Sequence, residues 1–489
     1  MPTDLPDPET SVHDLIWLAD TPTVDGTTPC PACRQENATR VAQVKFERPH
    51  ARWVPLNRCH ACQSVFYEGE DLVDAYDDHV MHDGYWRHYA EIGAGIHGML
   101  GFVQAIQAPP GARLLDIGCG MGFVVDYWSR MRGDPAVGLE KASYGRAGAQ
   151  HLGADIRPHY LHEAADLAGK TFDVVYSSEV IEHVPDPAAF LAAIMPGLAD
   201  QGVLMLTTPC ADALTPDLDP TVAVSMLFPG GHYFLLSAHA LEALLRQAGF
   251  QHVVVHQQAE QLLAVASHRA LPDLSFDPIA HEDYRAYMMT LADCDDRSFA
   301  SGGLYRALKE DVNRGDFERG MDVWKRLCDV AKTGYGLDLN DPPITEILSV
   351  TDPHQALKRY PAWLGCAQYY GGMLMSGPYD DMRVRLRRLE AAGRLLRHEI
   401  KMNPKYDREA YSLLNTCDFH FLQAASYTIL REETFLTGAC LREGEAMPDK
   451  MWRERWQQVR QKLSEILTEQ APGATPAPPA RPQDAPIES

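Results

Sequence analysis

Three groups of residues in this chain have types and spacings that can do chemistry. The first is a glycine-rich turn, Asp116-Ile117-Gly118-Cys119-Gly120-Met121-Gly122, between the runs Arg113-Leu114-Leu115 and Phe123-Val124-Val125. A strand, a glycine turn and a helix in that order bring backbone close to a nucleotide-like ligand. Side chains at the glycines would hold such a ligand away from the helix N-terminus. Val137-Gly138-Leu139 then reads as a second strand ending in Glu140, a carboxylate placed to accept hydrogen bonds from ribose hydroxyls. The turn alone is shared with dinucleotide-binding folds and with purely structural turns. The second group follows the strand pattern Phe172-Asp173-Val174-Val175-Tyr176-Ser177: the run Glu179-Val180-Ile181-Glu182-His183-Val184-Pro185 sets carboxylates and an imidazole side by side.

The third group is a pair of knuckles, Cys30-Pro31-Ala32-Cys33 and Cys59-His60-Ala61-Cys62. Two residues between cysteines let a tight turn aim both sulfurs at one point, and two such turns complete a tetrahedron. Strand-like runs, Val41–Phe46 and Ser64–Tyr67, lie between and after them, so hairpins pinned by one structural Zn²⁺ are expected, in the form of a zinc ribbon. Four thiolates close the coordination shell, which leaves no position for substrate and gives His60 no ligand role. A dithiol redox pair explains one knuckle and leaves the other without a purpose.

The elements that must carry these groups are legible in outline. The chain has 489 residues, 45% hydrophobic and 23% charged, which describes a globular protein of several domains. Alternating strand and helix patterns over 113–117, 122–131, 136–140, 143–151, 172–177, 187–198 and 202–207 predict an α/β fold with a parallel sheet. A helix is expected from Tyr85 to Ile106, ending at Pro109-Pro110-Gly111. Residues 210–230 read as a long loop at the carboxyl edge of the sheet, leading to His232 and Tyr233. Ser237 then caps a helix over Ala238–Ala248, and the runs 252–255 and 262–266 finish the sheet. From 278 to 468 the pattern turns helical, and two turn-then-aromatic segments, Arg314–Phe317 and Ser376–Tyr379, separate helices there. A plain helical domain is favoured over stacked hairpin repeats. Residues 1–25 and 471–489 are polar or proline-rich and are expected to be disordered.

A net charge of −23 would repel a phosphate backbone and disfavours nucleic acid as partner. The cluster Arg383, Arg385, Arg387 and Arg388 reads as the solvent face of a helix. No stretch is long and apolar enough to insert in a membrane, and Met1–Pro6 lacks a secretory pattern, so a cytoplasmic place is expected.

Taken in order, the glycine turn, Glu140 and the Glu-His segment resemble class I S-adenosylmethionine-dependent methyltransferases over residues 85–268. A zinc-ribbon-like unit at 26–70 before such a core also resembles bacterial sugar and polysaccharide-linked methyltransferases, in which spaced tyrosines follow the second knuckle; here they would be Tyr67, Tyr76, Tyr85 and Tyr89. The resemblance implies a Rossmann-like sheet followed by a helical domain, with Asp116, Gly118, Cys119, Gly120, Gly122, Glu140, Ser177 and Glu179 around S-adenosylmethionine. Cys119 would fill space in the turn rather than act as a nucleophile. An acid that meets the adenine in many relatives has no match in Pro158-His159-Tyr160-Leu161, so backbone or Tyr160 would replace it.

His232 and His183 compete for the role of base, with Tyr233 assisting. Carbon-methylating sugar enzymes of this type carry a Glu-His pair at the His232 position, and Gly231 stands here in place of the acid. The expected acceptor is a small molecule, a sugar nucleotide or polysaccharide precursor, and the helical C-terminus is a candidate surface for a protein partner. The rivals are a zinc-ribbon RNA methyltransferase and a non-catalytic scaffold that only binds the cofactor.

Overall fold

The computed structural model describes residues 14–18, 23–25, 28–46, 51–68, 85–93, 95–376, 379, 381–402, 408–430, 457 and 461. The expected tail 471–489, Tyr76, and most of 431–468 lie outside these residues. The chain divides into two compact units. The first comprises the described residues up to Glu310 with Asp329–Gly336 and Asp352–Ala362, and the second comprises Asp311–Cys328, Leu337–Thr351 and the described residues from Trp363 onward.

The first unit begins with an antiparallel sheet of β1 (Leu15–Trp17), β2 (Thr23–Asp25), β3 (Asn37–Phe46), β4 (Arg52–Cys59) and β5 (Val65–Tyr67). β3 and β4 form its spine, running from the pair Ala38↔Cys59 to Phe46↔Arg52. The alternation along β3 puts Ala42, Val44 and Phe46 into a core, where the Phe46 and Tyr67 rings meet edge to face at 4.9 Å. β1 and β2 both pair with β3, so the stretch 1–25 is not disordered throughout. Its polar average hides Leu15-Ile16-Trp17, which finds an open edge on a ten-residue strand and buries Leu15.

Two helices follow, α1 (Tyr85–Ile92) and α2 (Ile96–Val103), in place of the single helix expected over 85–106. Gly93 and Gly95 have φ of 73° and 78°, and a left-handed backbone cannot continue a right-handed helix.

The chain then runs through β6 (Leu114–Ile117), α3 (Phe123–Arg132), β7 (Ala136–Leu139), α4 (Ser143–Leu152), β8 (Ile156–Arg157), β9 (Phe172–Ser178), α5 (Pro187–Ile194), β10 (Leu198–Pro209), α6 (Pro220–Leu227), β11 (Phe234–Leu235), α7 (Ala238–Gln247), β12 (His252–Gln258) and β13 (Gln261–Ser267), and all of these strands but β11 form a second sheet. Its strand order is β12-β13-β10-β9-β6-β7-β8. β6 through β10 are parallel, and β13 runs antiparallel between β10 and β12. This is the expected α/β, Rossmann-like sheet. All four residues of β6 are buried, as a parallel strand covered on both faces requires. The chain moves outward from β6 to β8 and returns to β9 on the other side of β6, so a switch point opens between β6 and β9 at their carboxyl ends.

The segment expected as a loop over 210–230 contains α6. Asp219 caps it by accepting from Thr221 N at 2.8 Å, and Pro220 occupies the first helical position. β11 does not join the second sheet. It pairs with β5 as Phe234↔Phe66 and Leu235↔Val65, so the first sheet is completed by residues far along the chain.

The helical region from 278 divides between the two units. α8 (His281–Leu291), α9 (Arg297–Asn313) as far as Glu310, and α12 (Pro353–Arg359), which follows α10 (Phe317–Val330) and α11 (Ile344–Ser349), fall within the first unit's span. Tyr287 Oη donates to Phe123 O and Asp126 Oδ2, both at 3.0 Å, and so ties α8 to α3. Arg306 donates to Ala90 O at 2.9 Å, and Tyr335 Oη to Glu91 Oε1 at 2.6 Å, which anchors α1.

In the second unit, α13 (Leu364–Met373), α14 (Met382–Met402) and α15 (Arg408–Leu430) pack in succession. The turn at Gly315, φ 76°, is formed as expected, whereas Gly377 and Pro378 of its counterpart lie outside the described residues. Arg388 is not on a solvent face. It is buried, its guanidinium lies 4.4 Å from the centre of the Trp324 ring, and it donates to Gly371 O and Asn340 Oδ1 at 2.8 Å each. Burial pushes it down to about 10. Because truncation removes the stacking and leaves two acceptors unpaired, Arg388→Ala should cost about 2–3 kcal/mol, read as a lowered melting temperature. The exposed neighbour Arg387→Ala should leave the melting temperature unchanged.

Candidate functional site

The glycine turn leaves β6 at the switch point. Gly118 has φ 73°, and a Cβ there would fall 2.5 Å from Val180 Cγ2, so neither the backbone nor the space admits a side chain. Gly148 of α4 lies against the turn so closely that a Cβ would sit 2.0 Å from Met121 O. Glu140 ends β7 and is held in place: its Oε2 accepts from Gly120 N at 3.1 Å and its Oε1 from Ala142 N at 2.8 Å. Burial outweighs those bonds and pushes its carboxyl up to about 7. Asp116 is buried at the end of β6, raised well above the ordinary carboxylate range by burial and then by Glu140. A cleft of about 350 Å³ opens beside Glu140, lined also by Arg146, Gln150, Ile156 and Pro158.

The other expected contacts are placed unevenly. Cys119 packs where a Cβ on Gly138 would lie 2.5 Å from its sulfur. Ser177 is fully buried and its Oγ makes no hydrogen bond. Glu179 turns its carboxylate away from the glycine turn, accepting from Thr207 Oγ1 at 3.0 Å and Gln261 Nε2 at 2.7 Å on the β10–β13 side. Tyr160 is exposed, stacked on His162 and beneath the Lys141 ammonium.

Past the end of β9 lies a cluster that was only half visible in the sequence. The rings of His183 and His232 meet edge to face with centroids 4.5 Å apart. Nδ1 of His183 bonds Gly231 O, and Nδ1 of His232 bonds Met226 O, both at 2.7 Å. A carbonyl only accepts, so each Nδ1 carries the proton and each Nε2 keeps its lone pair. Glu182 completes the group. It is fully buried, Oε2 accepts from Thr208 Oγ1 at 2.9 Å, and Oε1 lies 3.9 Å from His232 Nε2 without a hydrogen bond.

Burial pushes His183 down to about 4 and His232 well below the ordinary imidazole range, and it raises Glu182 well above the carboxylate range. Glu182 thus brings a carboxyl beside His232 where position 231 offers none. Its signal was present in the Glu-x-x-Glu-His run, but nothing in the sequence links it to a histidine on a loop so far along the chain. Tyr233 contributes backbone: its N donates to Glu182 O at 2.9 Å, and its O accepts from Tyr67 N at 3.4 Å.

The four knuckle cysteines converge. Cys30 and Cys62 sulfurs are 3.5 Å apart, as are those of Cys33 and Cys59, and all four lie within 4.8 Å of one another. These are not disulfides, whose sulfurs bond at about 2.0 Å. Sulfurs around a tetrahedral zinc stand about 3.8 Å apart, which this set matches. Burial pushes the Cys33 thiol up to about 11, and a cation bound by the four sulfurs would favour its thiolate. His60 points elsewhere, bonding Thr39 Oγ1.

The knuckles also grip the loop that carries His232. Ser237 Oγ donates to Cys62 O while capping α7, Arg58 donates to Leu214 O at 2.9 Å, and Tyr67 Oη donates to Leu227 O at 3.0 Å. Cys30, Cys59 and Cys62 share one hydrophobic cluster with Val175, Leu206 and Leu241 of the second sheet and its helices.

Residues 85–257 match the model of a methyltransferase domain family. A ubiquinone biosynthesis O-methyltransferase of Xanthomonas axonopodis pv. citri is 34% identical over 165 residues, covering 31% of this chain and 68% of that protein. Phosphoethanolamine N-methyltransferase 3 of Arabidopsis thaliana is 28% identical over 34% of this chain, which spans 34% of that protein's length. Among solved structures, a DhpI–SAH complex is 19% identical, covers 38% of this chain and 94% of its own, and gives a TM-score of 0.28. The glycine turn, the acid after β7 and the family match over this sheet agree: the chain belongs to the class I S-adenosylmethionine-dependent methyltransferases.

Proposed function

We propose that the protein transfers a methyl group from S-adenosylmethionine to a small-molecule acceptor, of the sugar nucleotide or polysaccharide precursor class. The observation that carries this reading is the pairing of two sites across one switch point. Glu140, Gly118 and Gly120 stand on one side, and Glu182, His183 and His232 on the other. The relatives named for phosphoethanolamine and for ubiquinone biosynthesis support a small acceptor, and the knuckle pair before the core favours the sugar-linked class.

When bound, S-adenosylmethionine supplies a methyl group activated on a sulfonium, open to in-line displacement by the acceptor's lone pair. Glu140 accepts from the ribose hydroxyls, and the glycine backbone admits the rest without steric conflict. The acceptor's hydroxyl proton passes to the Glu182–His183–His232 group, with His232 as the leading candidate to receive it and Tyr233 holding the loop to Glu182. When bound, Zn²⁺ supplies a closed four-thiolate cross-link through Cys30, Cys33, Cys59 and Cys62, so the knuckles act on the loop and not on the methyl group.

Calorimetry should detect S-adenosylhomocysteine binding, and Gly120→Asp should abolish it, because a carboxylate would enter the ligand's path from a position with φ 57°. Since ionised Glu140 is the better acceptor, affinity should rise with pH up to about 7 and level off above it. No heat with the wild-type chain would refute the reading.

Methyl-labelled cofactor should deliver label to a low-molecular-weight acceptor and not to RNA. With that acceptor, His232→Ala should lower turnover by about 10²-fold or more and leave cofactor affinity nearly unchanged. Full activity in His232→Ala beside a dead His183→Ala would move the role to His183.

Cys59→Ser should reduce bound zinc by one per chain and lower the melting temperature, because metal binding and local folding are coupled. Acceptor turnover should fall further than cofactor affinity, since the knuckles hold the acceptor loop. Elemental analysis showing unchanged zinc in the variant would refute this assignment.

A further inference from the structure

The group beside the switch point has an unusual chemical makeup for a buried site. Glu182 and His232 are fully enclosed or nearly so, at 0% and 6% exposure, yet Glu182 Oε1 has no hydrogen bond. A buried acceptor without a donor costs free energy that a native site recovers in some way. One ligand atom from each of Glu182, His183 and His232 lies within 4.8 Å of the other two.

Donor atoms around a divalent ion at about 2.1 Å stand about 3 to 4.2 Å apart, so a small inward movement of these side chains closes the shell. The histidines are already in the form a metal requires. Each gives its Nδ1 proton to a backbone carbonyl, the outer bond that fixes a ligating imidazole and leaves Nε2 as donor. Thr208 does the same for the carboxylate by bonding the oxygen that faces away from His232. Three ligands leave coordination positions open.

We propose that Glu182, His183 and His232 form a second metal centre, which takes one divalent transition-metal ion and presents its open positions to the acceptor. The role for this ion rests on the methyltransferase reading above: it would polarise the acceptor hydroxyl, and since Nε2 of His232 is then a ligand, the proton would leave to solvent instead of to His232. The site is chemically distinct from the knuckles. Two imidazoles and one carboxylate suit Mn²⁺, Fe²⁺, Co²⁺ or Zn²⁺, whereas four thiolates select soft or borderline ions and discriminate against Mn²⁺.

Mn²⁺ is therefore the probe that separates them. The full chain, carrying one equivalent of Zn²⁺ that the four thiolates take first, is titrated with Mn²⁺ and followed by electron paramagnetic resonance. The wild type should bind one Mn²⁺ per chain, with nitrogen couplings from imidazole in the spin-echo spectrum. Glu182→Gln and His232→Asn should each lose that Mn²⁺ while retaining S-adenosylhomocysteine binding, which shows that the sheet is folded. A wild-type chain that binds S-adenosylhomocysteine but no Mn²⁺ overturns the metal centre and leaves the methyltransferase reading intact. Undiminished Mn²⁺ binding in both variants, or a signal without nitrogen coupling, overturns it as well. Mn²⁺ binding lost in the variants, in a wild-type chain that ignores S-adenosylhomocysteine, supports the centre and refutes the reading.

Discussion

Two residues, Phe234 and Leu235, hold the geometry of the site together by pairing with Phe66 and Val65. This strand cannot pair beside β10, which already has β9 and β13 as neighbours. The knuckle sheet offers it a place, the open side of β5. An unpaired strand edge seeks a partner, and here the partner comes from the loop that carries His232. With Arg58, Tyr67 and Ser237 adding bonds at both ends of that loop, a segment that would otherwise carry a large ordering entropy is fixed by a neighbour already rigid.

That rigidity lets the Glu182 group exist. A carboxyl with no exposure beside two imidazoles is costly unless its surroundings are held in register. The register comes from backbone: Gly231 O and Met226 O fix the two rings, and Tyr233 N fixes the Glu182 carbonyl. All three anchors belong to the loop clamped by the knuckles. Gly231 also has a steric reason to lack a side chain, since a Cβ there would fall 2.0 Å from the Phe228 ring. An acid at position 231 would meet that ring.

The sequence revealed what depends on local spacing and concealed what depends on distant pairing. The glycine turn, Glu140 and the knuckles were legible because each is a short pattern with one physical cause. The break between α1 and α2 was equally local, written in Gly93 and Gly95, but apolar residues on both sides kept a helical period and masked it. β11 was hidden because two residues carry no periodicity, and its partner lies in another sheet. Arg388 looked like its exposed neighbours because charge alone does not reveal a tryptophan under the guanidinium. Glu182 was visible as a residue but not as a partner of His232, which reaches it only through the path of β10 and the loop after it.

The cysteine unit is joined to the parallel sheet by packing. Its sulfurs sit in the same apolar cluster as β9 and β10, so the knuckles and the parallel sheet share a core and neither completes it alone. The cleft and Glu140 stand at β7 and α4, on the opposite side of β6 from β10. The glycine turn and Glu140 therefore stand at one end of the sheet on its own backbone, and in the proposed reading they take the nucleotide. The Glu182 group at the other end rests on a loop tied to the knuckles, so in that reading cofactor binding and acceptor activation depend on separate parts of the chain.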